Sequence, residues 1–133
     1  MSNNLALLAA RIFLVPLFLV SGVGILAAPG GFAGYMASLG LPAPMLVTWL
    51  VIAIKVLGSV AVLVGFQTRL ASYAIAAFAI GAALLGHFDF ADQNQITQFM
   101  KNLAVAGGFL ALSAAGPGAY SLDARRGAAP VYA

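Results

Sequence analysis

The sequence predicts an all-α membrane protein, a bundle of four transmembrane helices, and three observations carry that prediction. Hydrophobic residues make up 63% of the 133 residues and charged residues only 7%, against about a quarter charged in soluble domains. The apolar residues run in long continuous stretches rather than short alternating segments, which excludes a β-barrel. Clusters of Gly and Pro separate the stretches. At roughly 20 residues per crossing, the length holds four spans and one domain over residues 1–133, with no separate soluble module.

Span one is predicted from Leu5 to Ala28, closed by Pro29-Gly30-Gly31. Met1 to Asn4 lacks the basic stretch and cleavage site of a secretory signal, so an uncleaved first span is expected. Gly31 to Leu41 is long enough for a short interfacial helix, with Phe32, Tyr35, Met36 and Leu39 as its lipid-facing side. Leu41-Pro42-Ala43-Pro44 opens span two, predicted from Ala43 to Phe66. Only Gln67-Thr68-Arg69 then remains before span three, Leu70 to Phe88, which makes the two antiparallel neighbours. Span four is predicted from Ile96 to Ala115, with Asp92 or Asn94 as its N-cap and Gly116-Pro117-Gly118 as its stop. Small residues four apart, Ala77 with Gly81, Ala82 with Gly86, Ala104 with Gly108 and Gly107 with Ala111, predict that spans three and four form a tight pair. No internal repeat is visible, which disfavours an inverted-repeat transporter.

Six basic residues stand against Asp89, Asp92 and Asp123, for a net charge of +3. The basic residues are scattered rather than clustered, which argues against nucleic-acid binding. Arg69, Arg125 and Arg126 collect on one side, with Arg11 near its face, while Asp89 and Asp92 lie on the other with Lys101 just inside span four. The positive-inside rule therefore predicts both termini in the cytoplasm. With no cysteine and His87 as the only histidine, no intrinsic metal or haem site is expected. Electron transfer would need a bound organic cofactor or another subunit.

Lys55 is the most informative position. It lies near the middle of an uncharged apolar run, and no Asp or Glu precedes Asp89. A charged Lys at mid-membrane depth costs about 3 kcal/mol on insertion scales. Three readings stay open for its amine: backbone carbonyls or water within the bundle, a carboxylate on another subunit, or a ligand oxygen such as a quinone carbonyl or lipid phosphate. Thr48, Lys55, Gly58 and Ser59 share one side of span two as a polar stripe that should face protein. Pro16 and Ser21-Gly22-Val23-Gly24 loosen span one and could offer Lys55 free carbonyls.

Arg11, sharing a face with Phe18 and Gly22, is expected either to snorkel to the headgroups or to form an anion site inside the bundle. His87, Asp89, Asp92, Gln98, Lys101 and Asn102 gather between spans three and four. They could make a proton-accepting or headgroup site, or be ordinary interfacial residues with Lys101 paired to an Asp. Trp49, Tyr35, Tyr73 and Tyr120 read as an aromatic belt.

Arg11 followed by Ser21-Gly22, then Leu39-Gly40-Leu41-Pro42, Gly65, Thr68-Arg69-Leu70, His87, Phe99 and Lys101-Asn102-Leu103 recur in order with Gly107-Gly108, Gly116-Pro117-Gly118 and Ser121-Leu122-Asp123. On these residues the chain resembles the DoxX family of small four-helix membrane proteins. The resemblance implies a bacterial inner-membrane subunit beside redox enzymes, similar to subunits of thiosulfate:quinone oxidoreductase or to anchors that gather a sulfurtransferase and a superoxide dismutase. Against that pattern, Ile25 stands where the family carries Lys, and Lys55 where it carries Glu. A charge reversal there implies a changed partner or an abandoned activity. The expectation is thus an accessory, non-catalytic subunit rather than an enzyme on its own, contributing packing surface and a lipid or quinone niche. Its partners would be membrane lipids and other membrane subunits. The alternatives are a quinone-interacting oxidoreductase subunit, with Arg11, Lys55 or His87 positioning the head, and a self-associating lipid-binding or transport protein.

Overall fold

A computed structural model describes residues 2–127, and all their regular structure is helical. Met1 and residues 128–133, on which the expectation about the termini partly falls, lie outside the described residues. Helix α1 spans Asn3–Ala27, α2 Pro29–Ser38, α3 Pro44–Ala53, α4 Ser59–Val64, α5 Thr68–Gly86, α6 Gln93–Ala115 and α7 Leu122–Arg125. A five-residue π-helical segment, Ile54–Gly58, joins α3 to α4 in one rod.

Three helical stretches are long and apolar enough to cross a membrane: Asn3–Ala27, Pro44–Val64 and Thr68–Gly86. Their exteriors remain apolar, with Phe13 80%, Val20 72% and Leu70 69% exposed, as lipid-facing surfaces require. The 23-residue α6 is long enough, but Gln93, Asn94, Gln95, Gln98, Lys101 and Asn102 make its first turns polar. It falls outside that set of three.

The termini of these helices follow local chemistry. Ser2 caps α1 by accepting from Leu5 N, and Asp92 caps α6 by accepting from Asn94 N at 2.9 Å. Pro29 does not merely close span one; it begins α2, where its missing N–H is no loss. The face of α2 expected to meet lipid turns only partly inward, since Tyr35 stays 43% exposed and Phe32 and Leu39 are half-buried. Met36 is buried, and Phe32, Tyr35, Met36 and Leu39 all line a partly open cavity.

The core lies where α1, α4, α5 and α6 meet. Phe18 packs edge-to-face on Phe109 at 5.7 Å and on Phe78 at 6.3 Å, surrounded by Val15, Val62, Ile75 and Leu112. The α5–α6 pair has the most extensive interhelical contact. The alanines buried in these two helices are Ala71, Ala76, Ala79, Ala83 and Ala106, whereas of the predicted small residues Ala77, Ala104, Gly107 and Ala111 face outward and Gly81, Ala82, Gly86 and Gly108 are half-buried. Gly108 meets Leu14 of α1. The expected tight pair is thus present, but half of the predicted small residues point away from it, and Gly81, Ala82 and Gly86 line the cavity instead.

Candidate functional site

The two ends of the bundle are built differently. At the end where α1 begins, Arg11 is 1% exposed and donates five hydrogen bonds to backbone oxygens. Nε reaches Val62 O at 3.1 Å, one terminal nitrogen reaches Pro117 O at 2.7 Å and Tyr120 O at 3.0 Å, and the other reaches Leu63 O and Tyr120 O, both at 2.9 Å. A guanidinium has five N–H donors, so none is left for an anion, and the side chain does not snorkel outward. The last carbonyls of α4 need such donors because the helix stops at Gly65.

Asp123 completes this end. Its carboxylate accepts from Gln67 N at 2.8 Å and Thr68 N at 3.0 Å, capping the start of α5, while its own N–H donates to Gly65 O at 2.8 Å. Negative charge at a helix N-terminus is stabilising. Arg69 Nε donates to Ser113 O at 3.1 Å, and Arg126 lies 4.9 Å over the Phe66 ring. The chain's last described segment is thereby strapped across the α4–α5 turn.

The other end holds a partly open cavity of about 410 Å³ between α1, α2, α3 and its π-helical extension, α5 and α6. Its walls are mainly apolar, and its polar side chains are Ser21, Tyr35, Lys55, His87, Lys101 and Asn102. Sequence reasoning singled out four of these as site candidates, and the fold brings Lys55, His87, Lys101 and Asn102 together. Arg11, Ser59, Asp89 and Asp92 do not line it.

The π-helical segment carries Lys55. The wider turn leaves the expected stripe facing protein, with Thr48 and Ser59 buried and Gly58 against Ile75. Lys55 faces the cavity, whereas Ser59 is fully buried with its hydroxyl unpartnered among the described residues. Lys55 Nζ donates to Ser21 Oγ at 2.6 Å and sits 5.2 Å from the centre of the Phe78 ring. It thus reaches span one through a hydroxyl, not through a carbonyl freed by Pro16. Gly22 makes that approach possible, because a Cβ there would lie 2.7 Å from Lys55 Cβ.

His87 Nδ1 is 3.1 Å from Gln95 Oε1, and Lys101 donates to Gln98 Oε1 rather than to an Asp. Asn102 is 7% exposed, and among the described residues its amide makes no hydrogen bond. Asp89 accepts from Ala91 N at 3.2 Å within the loop, and Asp92 is spent on its cap. Among the described residues no three His, Asp or Glu side chains gather as metal ligands do.

Sequence reasoning missed Ser21 and Tyr35 as cavity residues. Tyr35 reaches the cavity against Gly86, where a Cβ would come within 2.9 Å of the Tyr35 hydroxyl, a contact that residue type alone does not reveal.

Comparison with known proteins agrees with the geometry at the level of family. The chain is 41% identical to inner membrane protein YqjF of Escherichia coli (strain K12) over 121 residues, which cover 91% of this chain and 92% of that protein. It is 38% identical to inner membrane protein YphA of the same organism over 125 residues, covering 90% and 89%. No solved structure is detectably similar. The DoxX family model matches residues 6–88, from α1 through the end of α5 and so most of the cavity wall; the chain belongs to the DoxX family.

Proposed function

We propose that the protein is an accessory inner-membrane subunit of a redox-associated assembly, and that its own contribution is a niche for an amphiphile, a quinone or a lipid, at Lys55. The observation that carries this is the cavity: mainly apolar walls, with a few convergent polar groups at Lys55, Ser21, Lys101 and Asn102. Small-molecule sites have that character. Both curated relatives are named as inner membrane proteins, which supports the same location here.

In this reading α6 crosses the bilayer as the fourth span, held along its length by α5. Helix α2 lies at the outer interface and roofs the cavity. Arg69, Arg125 and Arg126 mark the cytoplasmic end and Asp89 and Asp92 the outer one. The subunit role rests on the family resemblance and on Lys55, whose ammonium meets a hydroxyl and a ring but no carboxylate among the described residues.

The test is purification from native membranes in a mild detergent. A companion polypeptide and an equimolar, solvent-extractable quinone or lipid are expected. A monodisperse protein with neither contradicts the proposal.

A further inference from the structure

We infer that the cavity selects a single-chain amphiphile with an anionic oxygen head, held by Lys55 and Lys101 with Asn102 as a neutral donor. This deepens the niche reading above and rests on it.

Charge comes first. Two ammonium side chains line the cavity and no carboxylate does. The acids nearest in sequence, Asp89 and Asp92, are engaged by backbone N–H groups of the loop and of α6. Lys55 is half-buried and meets no carboxylate among the described residues, whereas Lys101 is exposed and also donates to Gln98 Oε1; an uncompensated charge in a mainly apolar setting is costly. A neutral quinone head would supply acceptors yet leave the Lys55 charge uncompensated. An anionic head compensates it and adds an acceptor for Lys101.

Donor accounting points the same way. An ammonium has three N–H donors, and Lys55 directs one at Ser21 Oγ at 2.6 Å. The Phe78 ring, 5.2 Å away, offers the cation a face but no lone pair. Asn102 adjoins Lys101 on α6, is 7% exposed, and its amide is unpartnered among the described residues. Its amide is not sealed off as the Ser59, Thr68 and Ser72 hydroxyls are, so it is open to a ligand in the cavity. Carboxylate or phosphate oxygens would accept from both the ammonium groups and this amide.

Size selects the chain. About 410 Å³ lies low in the range of about 300–1,000 Å³ for small-molecule pockets, which suits one alkyl chain and not a whole two-chain glycerolipid. Leu17, Met36, Val51 and Leu85 supply the apolar wall beyond the polar groups.

The experiment uses the full chain in nanodiscs of phosphatidylcholine with three photoactivatable probes, each carrying a mid-chain diazirine: tetradecanoate, tetradecyl phosphate and tetradecanol. Adducts are mapped by mass spectrometry at equal amounts of disc-bound probe. The acids are expected to label cavity peptides about tenfold more than the alcohol, as one charge-assisted hydrogen bond warrants. Lys55→Met should bring them down to the alcohol's level, and Lys55→Arg should restore them. If Lys55→Met does not fold, Lys101→Met should give the same loss in smaller degree. Preference for carboxylate over phosphate, or the reverse, identifies which acid head the site takes. An alcohol that labels the cavity as strongly as the acids overturns the inference and leaves the niche standing. No cavity labelling by any probe overturns both.

Discussion

Replacing Arg11 by Met is expected to cost about 3–5 kcal/mol of stability, the range for stripping a buried charged group from its partners, and to lower the melting temperature by more than about 10 °C. Met fills much of the volume but donates nothing. Carbonyls of Val62, Leu63, Pro117 and Tyr120, held by one guanidinium, then lose their donor in a space where Arg11 itself is 1% exposed. Arg11→Lys should recover less than half of the loss, because a single ammonium cannot span acceptors in two separate segments. Thermal melting followed by circular dichroism checks this. Arg11 lies outside the cavity lining, so the fraction that stays folded should retain wild-type ligand binding. A melting temperature equal to wild type with altered anion binding would return Arg11 to the role of an anion site.

Gly65→Ala should be nearly as damaging, at about 3 kcal/mol, from two separable causes. Gly65 has φ +73°, a left-handed conformation that costs a residue with a Cβ about 1–2 kcal/mol. The added Cβ would also sit 2.3 Å from Ser121 Cβ, closer than any real contact, and crowding of this kind costs about 1–3 kcal/mol. The segment pushed away includes Asp123, whose carboxylate caps α5 and whose N–H holds Gly65 O at 2.8 Å. Ser121→Gly in the Gly65→Ala background should relieve the overlap but not the dihedral cost, so a double-mutant cycle of melting temperatures should be non-additive. Equal melting of Gly65→Ala and wild type would mean that the strap is not packed as described.

These two residues also mark what could be read from the sequence. The long apolar runs revealed the helices because a membrane helix must satisfy its backbone internally and present apolar side chains outward. Gly116-Pro117-Gly118 was legible as a stop, whereas Gly65, which ends α4, lay inside the predicted span two; helix stops leave carbonyls free. That Arg11 collects those carbonyls was not legible, since its acceptors lie 51 to 109 residues away and a backbone oxygen leaves no trace in residue type.

Facing was the harder problem. In water, apolar means inward; in a bilayer, lipid and bundle interior are equally apolar. Hence Met36 of α2 read as lipid-facing though it is buried, and Ala77, Ala104, Gly107 and Ala111 read as contact residues though they face outward. The π-helical segment at Ile54–Gly58 was equally hidden, because a wider turn inside a uniformly apolar run disturbs no visible period. Lys55 stood out, since a mid-span cation is costly wherever it points. Its companions Lys101 and Asn102 were visible as an interfacial cluster, but their convergence on Lys55 depends on how α6 lies against α5.

The claim that the Lys55 cavity is occupied in the membrane is tested most directly by native mass spectrometry of the protein released from its own membranes. Wild type should carry one amphiphile of defined mass, and Ala82→Trp, which fills the cavity from α5, should fold and carry none. Wild type without any adduct, or the same adduct on Ala82→Trp, would contradict it.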